Sequence, residues 1–161
     1  MAKFKWLVVL VLFLIAVQPS FVDDRAKILG IWKIVSQEWE DQTTGIRQPG
    51  MGKNPTGYII FTPEGRMMVI ITGEGRKAPV TDQDRVDLFN SMSAYTGIYR
   101  LEGDKWITKV DVAWYPARVG TEQVRFFRFD GDRLQVISEW MPPAIGAGGM
   151  GRVIITWERA K

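Results

Sequence analysis

Two residue types are missing from this sequence, and each absence removes a body of chemistry. Among 161 residues there is no histidine. The commonest general base and commonest transition-metal ligand are therefore gone, with every Ser-His or Cys-His nucleophilic arrangement. Most familiar hydrolase mechanisms are excluded. There is no cysteine either, so an exported chain of this composition holds itself by packing, without disulfides or a lipid-modified cysteine. That fits a bacterial envelope better than the disulfide-rich extracellular world of animals.

Long apolar runs are scarce too. The only marked one, Trp6 to Val17, follows a short basic start at Lys3 and Lys5 and ends in a polar break at Gln18, Pro19 and Ser20. A bilayer-spanning helix needs about twenty apolar residues, and this run is much shorter. It reads as a secretory leader over residues 1–22, with residues 23–161 as one domain, exported to the periplasm or secreted. The alternative is an anchor formed by an uncleaved leader. The cleavage signature is poor, because Ala16 and Ser20 lack good partners two positions earlier. Without the two leader lysines, the balance of 21 basic against 18 acidic residues becomes 19 against 18, so the net charge falls from +3 to +1. Basic residues are scattered singly, and no Lys/Arg stripe alternates with exposed aromatics, so nucleic acid is not an expected partner.

What remains is rich in Val, Ile, Phe, Tyr, Trp and Thr, arranged in short runs between Gly, Pro, Asp and Asn, as in an all-β domain. Eight strands are expected near 31–40, 57–62, 66–72, 97–101, 106–114, 122–129, 133–139 and 152–158. Short joints at 62–65 (TPEG), 101–105 (LEGDK) and 130–132 (DGD) force neighbours into antiparallel hairpins. Eight meandering strands either expose two edges or close into an up-and-down barrel whose interior holds side chains or one small ligand. One segment departs from this pattern. Residues 81–95 place Val86, Leu88, Phe89, Met92 and Tyr95 largely on one helical face, with Thr81 and Asp84 as a capping pair, which predicts a short amphipathic helix covering a barrel end or a gap between strands, with a moving lid as the alternative. The Pro/Gly loop 142–151 joins the last two strands and is of a kind that often edges a binding site.

The words LGIWKIVSQEWED, NPTGYIIFTPEGRM, AYTGIYRLEGDKW, VGTEQVRFFRFDGDRLQV and VIITWERA, in this order, resemble the lipocalin-like domain family of small bacterial and fungal proteins, over residues 28–160. The resemblance implies an eight-stranded barrel in which Trp32 of the Gly30-x-Trp32 motif closes the floor and Arg159 of the last strand packs across it. Many relatives carry a histidine where this chain reads ITKVD, with Thr108 and Lys109. No imidazole-dependent role carries over.

Candidate ligand-binding residues follow from strand alternation, which places every second residue on one face. If Trp32 points inward, so does Glu38, and an inward carboxylate needs a cationic partner or a ligand. In 106–114, Lys109 and Asp111 share one face. The opposite assignment turns Trp106, Thr108, Val110, Val112 and Trp114 inward, and alternation leaves both open. In 122–129, Gln123, Arg125, Phe127 and Phe129 share a face. Lys109, Asp111 and Arg125 are either solvated cross-strand charges or a polar cluster orienting a ligand's oxygens. The aromatic content, 12% with seven Trp, is either core or the lining of a cavity for a flat, apolar molecule. Trp39, Trp106, Trp114, Trp140 and Trp157 are too many for a floor alone.

The Gly-x-Gly pairs at 73–77 and 146–151 open no helix after a strand, so they cradle no phosphate. The acidic pairs Asp23–Asp24 and Asp82–Asp84 are explained by solvation and capping. Glu122 and Glu139 have nothing to place them across one cleft. No metal or organic cofactor is implied. Three functions compete: carriage of a small hydrophobic or amphipathic ligand, a cyclase or isomerase using Glu38 or Asp111 on a polyketide- or terpene-like substrate, and a structural envelope barrel with a filled core.

Overall fold

The computed structural model describes residues 21–143 and 149–161. Most of the expected leader and the centre of the 142–151 loop lie outside these residues. The elements run α1 (Phe21–Ile28), β1 (Gly30–Asp41), β2 (Arg47–Pro49), β3 (Thr56–Phe61), β4 (Arg66–Thr72), α2 (Asp82–Asn90), β5 (Met92–Glu102), β6 (Lys105–Ala113), a 3-10 turn (Pro116–Arg118), β7 (Glu122–Asp130), β8 (Arg133–Ser138) and β9 (Gly151–Arg159).

Each strand from β3 to β9 pairs antiparallel with the next, and β9 returns to β1 along almost its whole length, from Trp32↔Arg159 to Asp41↔Gly151. The lower part of β1 pairs with β3. The eight expected strands therefore form a closed antiparallel up-and-down barrel with no free edge. The ninth, β2, is a three-residue addition that pairs with the upper part of β1.

The two barrel ends differ. At the lower end the hairpins are tight, with Gly103 and Gly131 in the left-handed conformation as first residues of two-residue turns. At the upper end the connections are longer and carry β2, α2 and the 3-10 turn.

Lower-end packing is dense. Trp32, Phe61, Met67, Leu134, Trp106 and Trp157 are at most 2% exposed, and each such side chain contributes about 1.5–3 kcal/mol by leaving water. Their rings interlock: Phe61 meets Trp106 edge-on at 4.9 Å between centroids, and Trp106 meets Phe127 at 5.7 Å. Helix α1 was not expected. It delivers Ile28, fully buried, beneath the barrel, and the Ile28 carbonyl accepts from Trp32 Nε1 at 2.8 Å.

Helix α2 begins as expected. Thr81 Oγ1 accepts from the Asp84 amide at 3.1 Å, and Asp84 accepts from the Thr81 amide at 2.8 Å. It ends earlier than expected, at Asn90, because Met92–Tyr95 pair with Val69–Thr72 of β4. Met92 and Tyr95, read as helical, belong instead to β5, where strand alternation buries Tyr95 and Gly97.

Candidate functional site

Above the interlocked rings the barrel interior opens into a cavity of about 280 Å³. Its inner wall is apolar, formed by Ile59, Val69, Trp106, Val136 and Trp157, while Gln37, Trp39, Tyr95, Arg118 and Arg125 line it higher up. Asn90 from the end of α2 and Trp114 from the β6–β7 connection stand with Met51 and Met141 at its rim. Phe89 of α2 stacks on Trp114 with centroids 4.3 Å apart, so the helix sits against the rim while burying none of its own residues.

Two bulges decide which side chains reach this space. In β1 the register shifts between Ile34, opposite Trp157, and Ser36, opposite Thr156. Val35 is the extra residue, and such an insertion reverses the facing of everything beyond it. Trp32 and Ile34 point inward below it; Gln37 and Trp39 point inward above it. Glu38 is thereby turned to the outer face, contrary to the reading by strict alternation from Trp32. Its neighbour on that face, Glu40, is 8% exposed and accepts hydrogen bonds from Arg47 Nε at 3.1 Å and from Arg152 Nε. The bond from Arg152 is the main cause that holds the Glu40 carboxyl below its usual range, with Arg47 adding to it.

The second bulge lies in β6, where Gly97 faces Val110 and Thr96 faces Val112 with Asp111 unpaired between them. Below it Trp106, Thr108 and Val110 are buried inward, at 1%, 0% and 2% exposure. Lys109 and Asp111 are exposed on the outer wall, which corrects their placement in the cavity. Lys109 Nζ donates to the Gly120 carbonyl at 2.6 Å, and Asp111 pairs with Arg66 at 2.8 Å. The more apolar alternative holds for Trp106, Thr108 and Val110 and for Trp114 beyond the strand, but not for Val112, which lies past the bulge and is 63% exposed.

The remaining candidates divide. Trp106, Trp114 and Arg125 line the cavity. Phe127 is buried just beneath it, against Trp106 and Phe129. Gln123 lies on the same strand face and accepts from Arg125 Nη2 at 3.2 Å. At the floor, the Arg159 guanidinium carbon lies 3.9 Å from the centre of the Trp32 ring, and its nitrogens donate to the Lys27 and Leu29 carbonyls. Gly30 matches this closeness: a Cβ there would come within 2.9 Å of Arg159 Nη1, and its φ is +106°. At the rim, a Cβ on Gly151 would lie 2.3 Å from the Trp39 indole, so only glycine leaves room for that ring.

Strand alternation gave Gln37, Trp39, Tyr95 and Arg118 no place on the wall, although Trp39 was among the tryptophans too many for a floor. The first two were hidden by the bulge, Tyr95 by the helical reading, and Arg118 by its place in a connection. Of the surplus tryptophans, Trp39, Trp106, Trp114 and Trp157 line the cavity. Trp140 lies outside it, 38% exposed, with Arg152 4.5 Å above its ring.

A closed eight-stranded meander, sealed below by a Trp–Arg stack and opening above into a partly apolar cavity, defines a barrel of the ligand-binding lipocalin type. The chain belongs to the lipocalin-like domain family, whose profile it matches over residues 29–160. No curated protein matches it closely. Among the described residues no helix is long and apolar enough to cross a membrane.

Proposed function

We propose that the protein binds and carries one small, apolar-bodied or amphipathic molecule in the upper half of its barrel. The observation that carries this reading is the cavity itself. A structural barrel with a filled core would continue the contacts of Phe61, Trp106 and Phe127 to the rim, whereas here about 280 Å³ is left open above them. By comparison with a cavity of ~150 Å³ that admits benzene, this is room for roughly two fused rings. The cyclase reading draws less support, because Glu38 and Asp111 are on the outer face and no Asp or Glu occurs among the described residues lining the cavity.

Calorimetric titration with naphthylmethanol, a neutral two-ring probe, tests the carrier reading. Saturable binding of one molecule per chain is expected, and no binding of this or of the corresponding acid would remove it. Export is proposed on the leader pattern of residues 1–22, and the N-terminal sequence of the protein recovered from the periplasm or medium tests it. A mature chain starting near residue 23 is the expected result; an intact Met1 would favour the anchored alternative.

A further inference from the structure

Two arginines stand on the wall of the cavity, and among the described residues neither is answered by an acid. Arg118 ends the 3-10 turn, donates from Nη1 to Ser93 Oγ at 3.2 Å, and lies 5.5 Å from the centre of the Tyr95 ring. Arg125 comes from β7 and donates from Nη1 to the Val124 carbonyl at 2.7 Å and from Nη2 to Gln123. Each guanidinium has five N–H donors, and those engaged here meet only neutral acceptors. On the outer surface several arginines do have acidic partners. Arg47, Arg66, Arg100 and Arg152 each meet a carboxylate there.

Burial holds the Arg118 guanidinium below its ordinary pKa, and the like charge of Arg125 acts in the same direction. Two half-buried cations on the wall of one cavity are costly unless an anion completes them. Below them, the indole N–H groups of Trp106 and Trp157, whose rings form part of the same wall, are buried without an acceptor. The cavity therefore carries two cations on its wall and, among its described lining residues, no acidic side chain.

Resting on the carrier reading, we infer that the ligand is a compact organic acid whose carboxylate is held between Arg118 and Arg125 and whose ring body lies on Trp106 and Trp157. The planar guanidinium fork matches a carboxylate in shape as well as charge. The space beneath suits a body of about two rings.

The test is a paired calorimetric titration of the whole protein with naphthoate and with its neutral counterpart naphthylmethanol. At low ionic strength the acid is expected to bind about tenfold tighter or more, and that advantage shrinks as added salt screens the charges. Arg118→Gln and Arg125→Gln are each expected to weaken naphthoate about tenfold and to leave naphthylmethanol within about twofold. Equal binding of acid and alcohol overturns the inference and leaves the carrier reading standing, as does acid binding indifferent to both substitutions. Failure of both compounds to bind removes the carrier reading itself. Should either variant not fold, the wild-type salt series decides alone, because acid affinity independent of salt contradicts a charge-held carboxylate.

Discussion

The lower and upper halves of this barrel are built from the same strands and similar residues, yet one is solid and the other hollow. Below, Trp32 packs on Phe129 and Phe61 on Trp106, the turns are tight, and one arginine, Arg159, lies on the Trp32 ring with backbone carbonyls to receive it. Above, the tryptophans line a wall without meeting at the axis, the connections are long, and two arginines face the cavity with no acid beside them among the described residues. A cation in the lower half is part of the fold. The cations in the upper half are arranged for something that the chain does not itself supply.

Substitutions that treat the halves alike should therefore give unlike results. Trp32→Ala removes a fully packed ring and is expected to cost about 3–5 kcal/mol in denaturant unfolding. Trp114→Ala at the rim should cost less than about 1 kcal/mol and change ligand binding instead. Next in size is added volume. Leu134→Phe overpacks the lower core and should destabilise by about 1–3 kcal/mol. Val153 of β9 lies opposite Trp39 and lines the cavity, so Val153→Phe fills open space, and thermal melting should stay within a few degrees of wild type while probe binding disappears.

The charged groups give smaller effects. Glu40→Gln on the outer wall should cost about 1–2 kcal/mol at neutral pH, since it leaves Arg47 and Arg152 without their shared carboxylate. Because the folded Glu40 pKa is depressed, its contribution is full above the ordinary value of 4.5 and is lost as pH falls through the folded value. The gap between wild type and Glu40→Gln should accordingly close in acid denaturation profiles. Smallest is the pair of cations. Arg159→Gln is expected to cost about 1 kcal/mol through the lost ring stacking and carbonyl bonds, whereas Arg118→Gln should be neutral or slightly stabilising in the same melts. An equal cost at both sites would erase the distinction between floor and mouth.

Much of this architecture was legible in the residues. The turn chemistry at 62–65, 101–105 and 130–132 fixes the hairpins, and the Gly30-x-Trp32 motif with Arg159 marks the two ends that meet. Facing was harder to read. A single extra residue at Val35 and another at Asp111 reverse the inward set midway along β1 and β6; the first has no glycine to announce it, and the glycine at the second, Gly97, lies on the facing strand. Glu38, Lys109 and Asp111 were misplaced for that reason, and Gln37 and Trp39 given no place on the wall. Arg125, on the unbulged β7, was found by plain alternation. Arg118 could not be, because a connection's path through space is set by tertiary packing and not by period.

The central claim is that the upper half of the barrel is a binding cavity, and its most direct test is calorimetric titration of wild type and Val153→Phe with naphthylmethanol. The result predicted is one saturable site per wild-type chain and none in a variant of unchanged melting temperature. Binding that survives in Val153→Phe, or fails in both proteins for alcohol and acid alike, would contradict it.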